Sequence, residues 1–279
     1  MQKLGIVAGL GDLPVSIARE QVDSGRDVYV FKLAGFEEEK LSPFPGETIG
    51  IGQIGHLIKR LKAEQIDQVV FAGIVKRPNF SDIKLDLRGA RLLPKVLKAA
   101  RHGDDALLRV IVSELESEGF PVIAAEDAAS NLRAGDGLLF GPAPGDDALA
   151  DMKKAARIAG EIGKLDIGQG AVVCDGLILA VEAQEGTDRM LDRVANLEPE
   201  IRGNLSARKG VLVKRPKPIQ ERRIDLPTIG PATVRLAAEA GLAGIGVEAG
   251  GALLLQRAEI EALCESHDIF VYGFSGDWE

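Results

Sequence analysis

The chain has 279 residues, more than a single typical core prefers, so two domains are expected. Hydrophobic residues at 46% and charged residues at 27% supply enough apolar surface for packed cores and argue against a disordered chain. A net charge of -8 is unlike the extended cationic surface of a phosphate-backbone binder, so nucleic acid is not an expected partner. Cys174 and Cys264 form no Cys-x-x-Cys pair and read as buried thiols. No stretch reaches the roughly 18 uninterrupted apolar residues of a spanning helix. The opening MQKLGIVAGLG enters a strand almost at once, without the apolar core of a signal peptide, and a cytoplasmic location is expected.

In chain order, short apolar runs at Leu4 to Ala8, Val28 to Leu33 and Val69 to Gly73 alternate with amphipathic segments at Pro14 to Ser24 and Ile54 to Glu64. This is the βαβαβ signature of a parallel sheet with covering helices. Helices are expected at Pro94 to His102 and at Asp105 to Glu118, the second capped by Asp104, followed by a strand at Pro121 to Ala125. Glycine and proline then punctuate Leu132 to Ala148, which reads as an interdomain linker. A helix follows at Ala148 to Gly163. Two β-rich runs then flank Asp175-Gly176, a strong hairpin signal. Next come a helix at Asp188 to Val194, a strand at Gly210 to Lys214, a helix at Pro231 to Ala240 and a strand at Gly244 to Glu248. A helix at Arg257 to His267 and a strand at Phe270 to Gly273 close the chain. The expected architecture is α/β throughout: an N-terminal Rossmann-like parallel domain over 1–135, a linker over 136–147, and a C-terminal mixed α/β catalytic domain over 148–279 that opens with a β-hairpin.

Three stretches carry candidate chemistry. Gly9, Gly11 and Asp12 follow the first strand and open the first helix, where free backbone N–H groups can cradle a phosphate. It is half a dinucleotide fingerprint: Pro14 replaces the third glycine, and Lys32 and Leu33 end the second strand with no acid for a ribose. A tight turn without a ligand is the competing reading. In the hairpin, a two-residue Asp175-Gly176 loop pairs Cys174 with Leu177, and counting outward sets Gln169 opposite Glu182. Asp166, Gln184, Glu185, Thr187 and Asp188 then gather at its open end, a density of oxygen ligands suited to magnesium and to positioning a water. A solvated turn with Asp188 as a helix cap competes. The third stretch, Lys214 to Gly230, is proline-rich and cationic. Lys214, Lys217, Arg222 and Arg223 could clamp a diphosphate, and Asp225, between two apolar residues, could ligate a metal or act as a base; an exposed basic loop competes. The three histidines are scattered, and neither a P-loop nor a Gly-x-Ser-x-Gly motif occurs.

Several long motifs in one order closely resemble the LpxI family of UDP-2,3-diacylglucosamine pyrophosphatases. They are Gly103 to Arg109, Leu165 to Val173, Ala180 to Asp188 and Lys217 to Gly230, with the opening Leu4 to Pro14 run, Phe71-Ala72-Gly73 and Arg77-Pro78. The likeness covers nearly the whole chain and is least distinctive between Asp127 and Asp147. It implies a magnesium-dependent enzyme of lipid A synthesis in a Gram-negative source, splitting its substrate to UMP and 2,3-diacylglucosamine 1-phosphate (lipid X), with the lipid held between two domains. By position Asp225 is then the essential acid. The expected catalytic set is Asp225, Asp166, Gln169, Glu182 and Gln184; the expected metal ligands are Asp225, Glu185 and Asp188. Substrate is expected to meet Gly9, Gly11, Asp12, Arg77, Asp104, Asp105, Thr187, Lys214, Lys217, Arg222, Arg223 and Thr228. An acylated substrate also suggests peripheral contact with the inner membrane face through the cations from Arg208 to Arg223, and a homodimer is the expected assembly. A non-catalytic nucleotide-sugar binder and a nicotinamide-dependent oxidoreductase are the alternative functions.

Overall fold

The computed structural model describes residues 3–76, 83–100, 104–218 and 226–276, without the side chains of 104 and 105. Two compact units part between Ser130 and Asn131. The first is built on a four-stranded, wholly parallel sheet of order β3-β2-β1-β4, with β1 at Lys3–Ala8, β2 at Asp27–Leu33, β3 at Gly46–Ile49 and β4 at Gln68–Ala72. This is the first half of the doubly wound order expected from the βαβαβ pattern. Edge strand β3 is additional: four residues with one buried side chain carry too little periodicity to be read. Helix α1 (Asp12–Asp23) and helix α2 (Ile54–Ala63) follow β1 and β3.

Helix α3 runs over Leu87–Ala100, so Pro94, expected to open it, lies inside. The start is set by Asp86, whose Oδ1 accepts the Gly89 N–H at 2.8 Å as a helix cap, while Oδ2 accepts the His56 N–H at the head of α2 at 2.9 Å. Helix α4 (Asp104–Ser117) begins at Asp104 rather than being capped by it. The strand expected at Pro121 to Ala125 is reduced to one parallel bridge, Val122 beside Val69, and the alanine-rich continuation winds into the short helix α5 (Ala125–Ala128). The buried Gln21 amide ties α1 to α5 by donating to the Ala128 carbonyl.

The second unit holds a six-stranded mixed sheet of order β5-β12-β10-β8-β6-β7. Its strands are β5 (Gly137–Phe140), β6 (Gly170–Cys174), β7 (Leu177–Val181), β8 (Val211–Lys214), β10 (Gly244–Glu248) and β12 (Phe270–Phe274). Strands β8, β10 and β12 run parallel; β6 is antiparallel to β8 and to β7, and β5 is antiparallel to β12. The stretch expected to be a linker, 136–147, thus contains an edge strand of this sheet, and the unit opens with β5 rather than with the hairpin. Glycines disguise it: with Gly137 at φ 82° and Gly141 at φ 78°, the short run between them reads as loop. A small parallel pair, β9 (Thr228–Ile229) with β11 (Leu253–Leu254), lies beside the main sheet.

Both faces of this sheet are covered. Helix α6 (Asp146–Lys164) lays Met152, Ala155, Ala156 and Ala159 on Ala171, Val173, Val211 and Val213. Gly246 makes room for it, because a Cβ there would lie 2.7 Å from Met152 Cγ. Val172, Leu212, Ile245 and Val247 face the other way, against α7 (Gly186–Ala195), α9 (Pro231–Glu239) and α10 (Arg257–His267). Burial on both sides explains why β6 reads as a continuous apolar run. The short helix α8 (Pro199–Arg202) lies between α7 and β8. The turn of the hairpin is pinned by the buried Asp151, whose carboxylate accepts the N–H groups of Asp175 and Gly176 at 2.9 and 2.7 Å. Among the described residues no helix is long and apolar enough to cross a membrane.

Both thiols are fully buried, as expected. Burial pushes Cys174 up to about 11, with Asp175 adding to the shift, and burial pushes Cys264 up to about 12. These folded values are raised, so their contribution to stability is complete below the unfolded value of about 8.5 and is lost as pH rises through the folded values. Native protein at pH 8 is therefore expected to resist iodoacetamide, whereas protein unfolded in urea takes up two labels. Mass spectrometry of the alkylated chain checks this; rapid double labelling of the native protein would contradict it.

Candidate active site at the carboxyl edge of the second sheet

The parallel strands of an open α/β sheet present ligand sites at their carboxyl ends. In the second unit that edge carries Glu182 just beyond β7, Lys214 at the end of β8 and Glu248 at the end of β10. Antiparallel β6 starts there with Gly170. The hairpin turn is as expected, with Asp175 at φ 48° and Gly176 at φ 76°, and Cys174 pairs with Leu177. Farther out the register shifts by one residue, so that Val172 meets Ala180 and Ala171 meets Val181. Gly170, not Gln169, therefore lies opposite Glu182, and the Glu182 N–H donates to the Gly170 carbonyl at 2.8 Å. The difference is a β-bulge, which outward counting from a turn cannot foresee.

Gly170 is also the register partner of Lys214 on β8. Glu182, Gly170 and Lys214 thus form one row across three adjacent strands, with acid and ammonium on the same face and no side chain between them. Glu182 leans into that space: a Cβ on Gly170 would sit 2.6 Å from its Oε2. It is 6% exposed, its Oε1 accepts the Thr187 hydroxyl at 3.1 Å, and its Oε2 has no hydrogen-bond partner among the described residues. Gln169 Oε1 is likewise buried without a partner among them. Lys214 is also 6% exposed, and the one hydrogen bond its ammonium makes among the described residues is a long one, 3.5 Å to the Thr228 carbonyl. Buried acceptors and a buried cation left under-satisfied are costly unless a ligand completes them. The group fits a ligand that brings donors or a cation to Glu182 and Gln169 and an anion to Lys214.

The other expected residues fall in different places. Asp166, at φ 56°, pairs with Lys217 at 2.8 Å. Arg215, which sequence reading did not single out, pairs with Glu248 at 3.2 Å and donates to the Ala156 carbonyl at 3.4 Å. Gln184 and Asp188 are exposed, and Asp188 lies in the first turn of α7, one residue past the buried Thr187. The Glu185 backbone N–H, and then the Arg193 guanidinium at 2.6 Å, hold the Glu185 carboxyl below the usual carboxylate range, so it is already engaged. Arg208 is turned inward to the carbonyls of Ala238 and Leu242, where burial lowers its pKa, and Lys209 pairs with Asp175. Arg208, Lys209, Arg215 and Lys217 are thus each engaged within the unit. Arg77, Arg222, Arg223 and Asp225, and the side chains of Asp104 and Asp105, lie outside the described residues. Among the described residues no group of three or more His, Cys, Asp or Glu side chains is arranged to hold a metal ion.

In the first unit, Gly9, Gly11 and Asp12 have intramolecular partners. Leu10 and Ile74 exchange backbone hydrogen bonds of 3.0 and 2.8 Å, zipping the loop after β1 to the loop after β4. Gly9 and Gly73 permit that approach, since a Cβ on Gly9 would lie 2.6 Å from the Ile74 oxygen. This is the crevice in which a doubly wound sheet would place a dinucleotide. The Gly11 N–H at the head of α1 donates to the Glu38 carboxylate at 3.1 Å, and Asp12 pairs with Lys40 at 2.7 Å. Glu38 therefore supplies the negative charge that a helix N-terminus favours.

The first half of the chain is half of a doubly wound α/β domain, and the second is an α/β domain with an under-satisfied polar row at its strand ends. Residues 3–132 match the model of the LpxI N-terminal domain, and residues 135–272 match that of the LpxI C-terminal domain. The chain is 50% identical over 273 residues to the UDP-2,3-diacylglucosamine pyrophosphatase LpxI of Caulobacter vibrioides, covering 98% of each protein. It belongs to the LpxI family. Among solved structures it is similar to the CobK precorrin-6A reductase, at 14% identity over 99% of this chain and 88% of that one, with a TM-score of 0.32. It is also similar to the UDP-glucose 4-epimerase of Thermus thermophilus in complex with NAD, at 16% identity over 52% and 41%, with a TM-score of 0.28. Neither bears on activity.

Two glycines at this edge separate structural from functional demands. A Cβ on Gly168 would lie 2.0 Å from the Glu182 backbone oxygen, whereas one on Gly170 meets the movable end of the Glu182 side chain. Gly168→Ala is expected to cost about 1–3 kcal/mol, lowering the thermal midpoint by several degrees, and Gly170→Ala considerably less. Scanning calorimetry of the two variants checks the order, and equal midpoints would contradict it.

Proposed function

We propose that this protein hydrolyses the diphosphate of UDP-2,3-diacylglucosamine, releasing UMP and 2,3-diacylglucosamine 1-phosphate, the lipid X of lipid A synthesis. The observation that carries the reading is the 50% identity, over 98% of both chains, to a relative named for that pyrophosphatase activity. The polar row supports it chemically. Lys214, buried at a strand end, offers a positive charge to diphosphate oxygens in a site where charge is poorly screened. Glu182 and Gln169 offer acceptor oxygens to a water, a ligand hydroxyl or a hard cation.

Magnesium dependence belongs to the same proposal. A bound magnesium ion would neutralise charge on the diphosphate. Among the described residues Glu182 and Gln169 are the oxygen donors best suited to it, because Glu185 is held by Arg193. Asp225 is the acid proposed as essential. Thr187 fixes the Glu182 carboxylate, which leaves Oε2, without a partner among the described residues, as its working atom. The non-catalytic reading uses the same residues and differs only in returning the substrate whole.

The test is the product mixture after incubation with UDP-2,3-diacylglucosamine and magnesium, analysed by mass spectrometry. Release of UMP is expected, lost on chelation and restored by magnesium; intact substrate would establish a binder instead. Asp225→Ala is expected to abolish UMP release while the thermal midpoint is kept. Glu182→Gln is expected to lower kcat by about tenfold or more. Undiminished turnover in Asp225→Ala would remove that residue from the mechanism.

A further inference from the structure

An open groove of about 600 Å³ in the first unit runs along α3. Its lining includes Gly55 in the first turn of α2 and Glu114 of α4. Its other charged side chains are Asp86, just before α3, and Arg88, Arg91 and Lys95 on that helix. The two acids are engaged inside the unit. Asp86 gives both carboxylate oxygens to backbone N–H groups, those of Gly89 and His56, and so answers the N-terminal dipoles of α3 and α2. Glu114 pairs with Arg88 at 2.5 Å, and Arg88 also pairs with Glu118 at 2.6 Å.

Arg91 and Lys95 are different. Both are exposed, and among the described residues neither makes an ion pair or a side-chain hydrogen bond. In a chain of net charge -8, two cations thus face one groove with no acid left to neutralise them. They are four residues apart on a helix, which puts them on one face with Cβ atoms about 5–6 Å apart, a spacing at which like charges weaken the helix. An anion held between them removes that repulsion and gains charge-assisted hydrogen bonds from both.

From this arrangement we infer that the groove binds a phosphate group between Arg91 and Lys95, using residues that take no part in the polar row of the second unit. The arginine offers a planar fork to two phosphate oxygens, and the lysine a compact charge to a third. Leu87, one turn earlier on the same face and 85% exposed, offers an apolar surface to the carbon skeleton that carries the phosphate. A soluble phosphate ester and the headgroup of an anionic phospholipid share this chemistry. Binding here does not depend on the hydrolysis proposed above.

Lys95 itself reports occupancy. Intact protein is acetylated with N-hydroxysuccinimidyl acetate, and the rate at each lysine is read by peptide mass spectrometry, with the exposed Lys59 and Lys153 as references. Inorganic pyrophosphate, compared with sodium chloride of equal ionic strength, is expected to slow acetylation of Lys95 relative to both references by about threefold or more. Vesicles of phosphatidylglycerol in phosphatidylcholine, compared with phosphatidylcholine alone, form the second arm. Protection by pyrophosphate identifies a soluble phosphate ester, and protection by the anionic vesicles alone identifies a lipid headgroup. Arg91→Gln leaves Lys95 in place and is expected to abolish the protection while the thermal midpoint is kept. Equal slowing at all three lysines, no slowing in either arm, or undiminished protection in Arg91→Gln overturns the site.

Discussion

A buried carboxylate held over a glycine organises the second unit. Glu182 leans over Gly170, the register partner of Lys214, and it does so because the hairpin slips by one residue between Val172 and Val173. Without that bulge Glu182 would lie opposite Gln169, with a side chain in the space it now occupies. Thr187 takes one carboxylate oxygen, and the close approach of Gly168 to the Glu182 backbone holds the peptide in place. The second oxygen has no hydrogen-bond partner among the described residues. Unpaired buried acceptors are destabilising, and a protein retains them where binding completes them.

The first unit has the topology of a dinucleotide-binding half and its own contacts at the strand ends. Its strand order is that of a dinucleotide-binding half, yet the loops after β1 and β4 are hydrogen-bonded to each other where a pyrophosphate would enter. Glu38 meets the N-terminal dipole of α1, so the electrostatic attraction that such a turn offers a phosphate is answered from within the chain. An apolar cavity lies elsewhere in this unit, lined in part by Leu92 and Val96 of α3 and Leu108 and Ile111 of α4.

Charge in the second unit is neutralised locally. Arg208, Lys209, Arg215 and Lys217 look like a cationic run in sequence, but each meets a carbonyl or carboxylate of its own unit. Lys214 differs because strand alternation turns it, with Leu212, to the face opposite Val211 and Val213, where among the described residues it meets a single distant carbonyl. Its burial makes its charge more effective toward an anion than that of a solvated lysine would be.

Local chemistry makes much of this legible in the sequence itself. Alternating apolar runs announce the parallel sheet, Asp175-Gly176 announces the hairpin, and long motifs announce the family. The density of polar residues near Gln169, Glu182 and Thr187 falls at the carboxyl edge of the second sheet. What the sequence could not determine depends on contacts distant along the chain. Strand β5 is defined by its pairing with β12, far along the chain, the start of α3 by Asp86 reaching both Gly89 and the head of α2, and the partner of Glu182 by a bulge. Residue type and spacing decide which side chains can do chemistry. Only the register of strands and the approach of backbones at glycine decide which atoms are left without a partner, because those are set by packing across the whole unit.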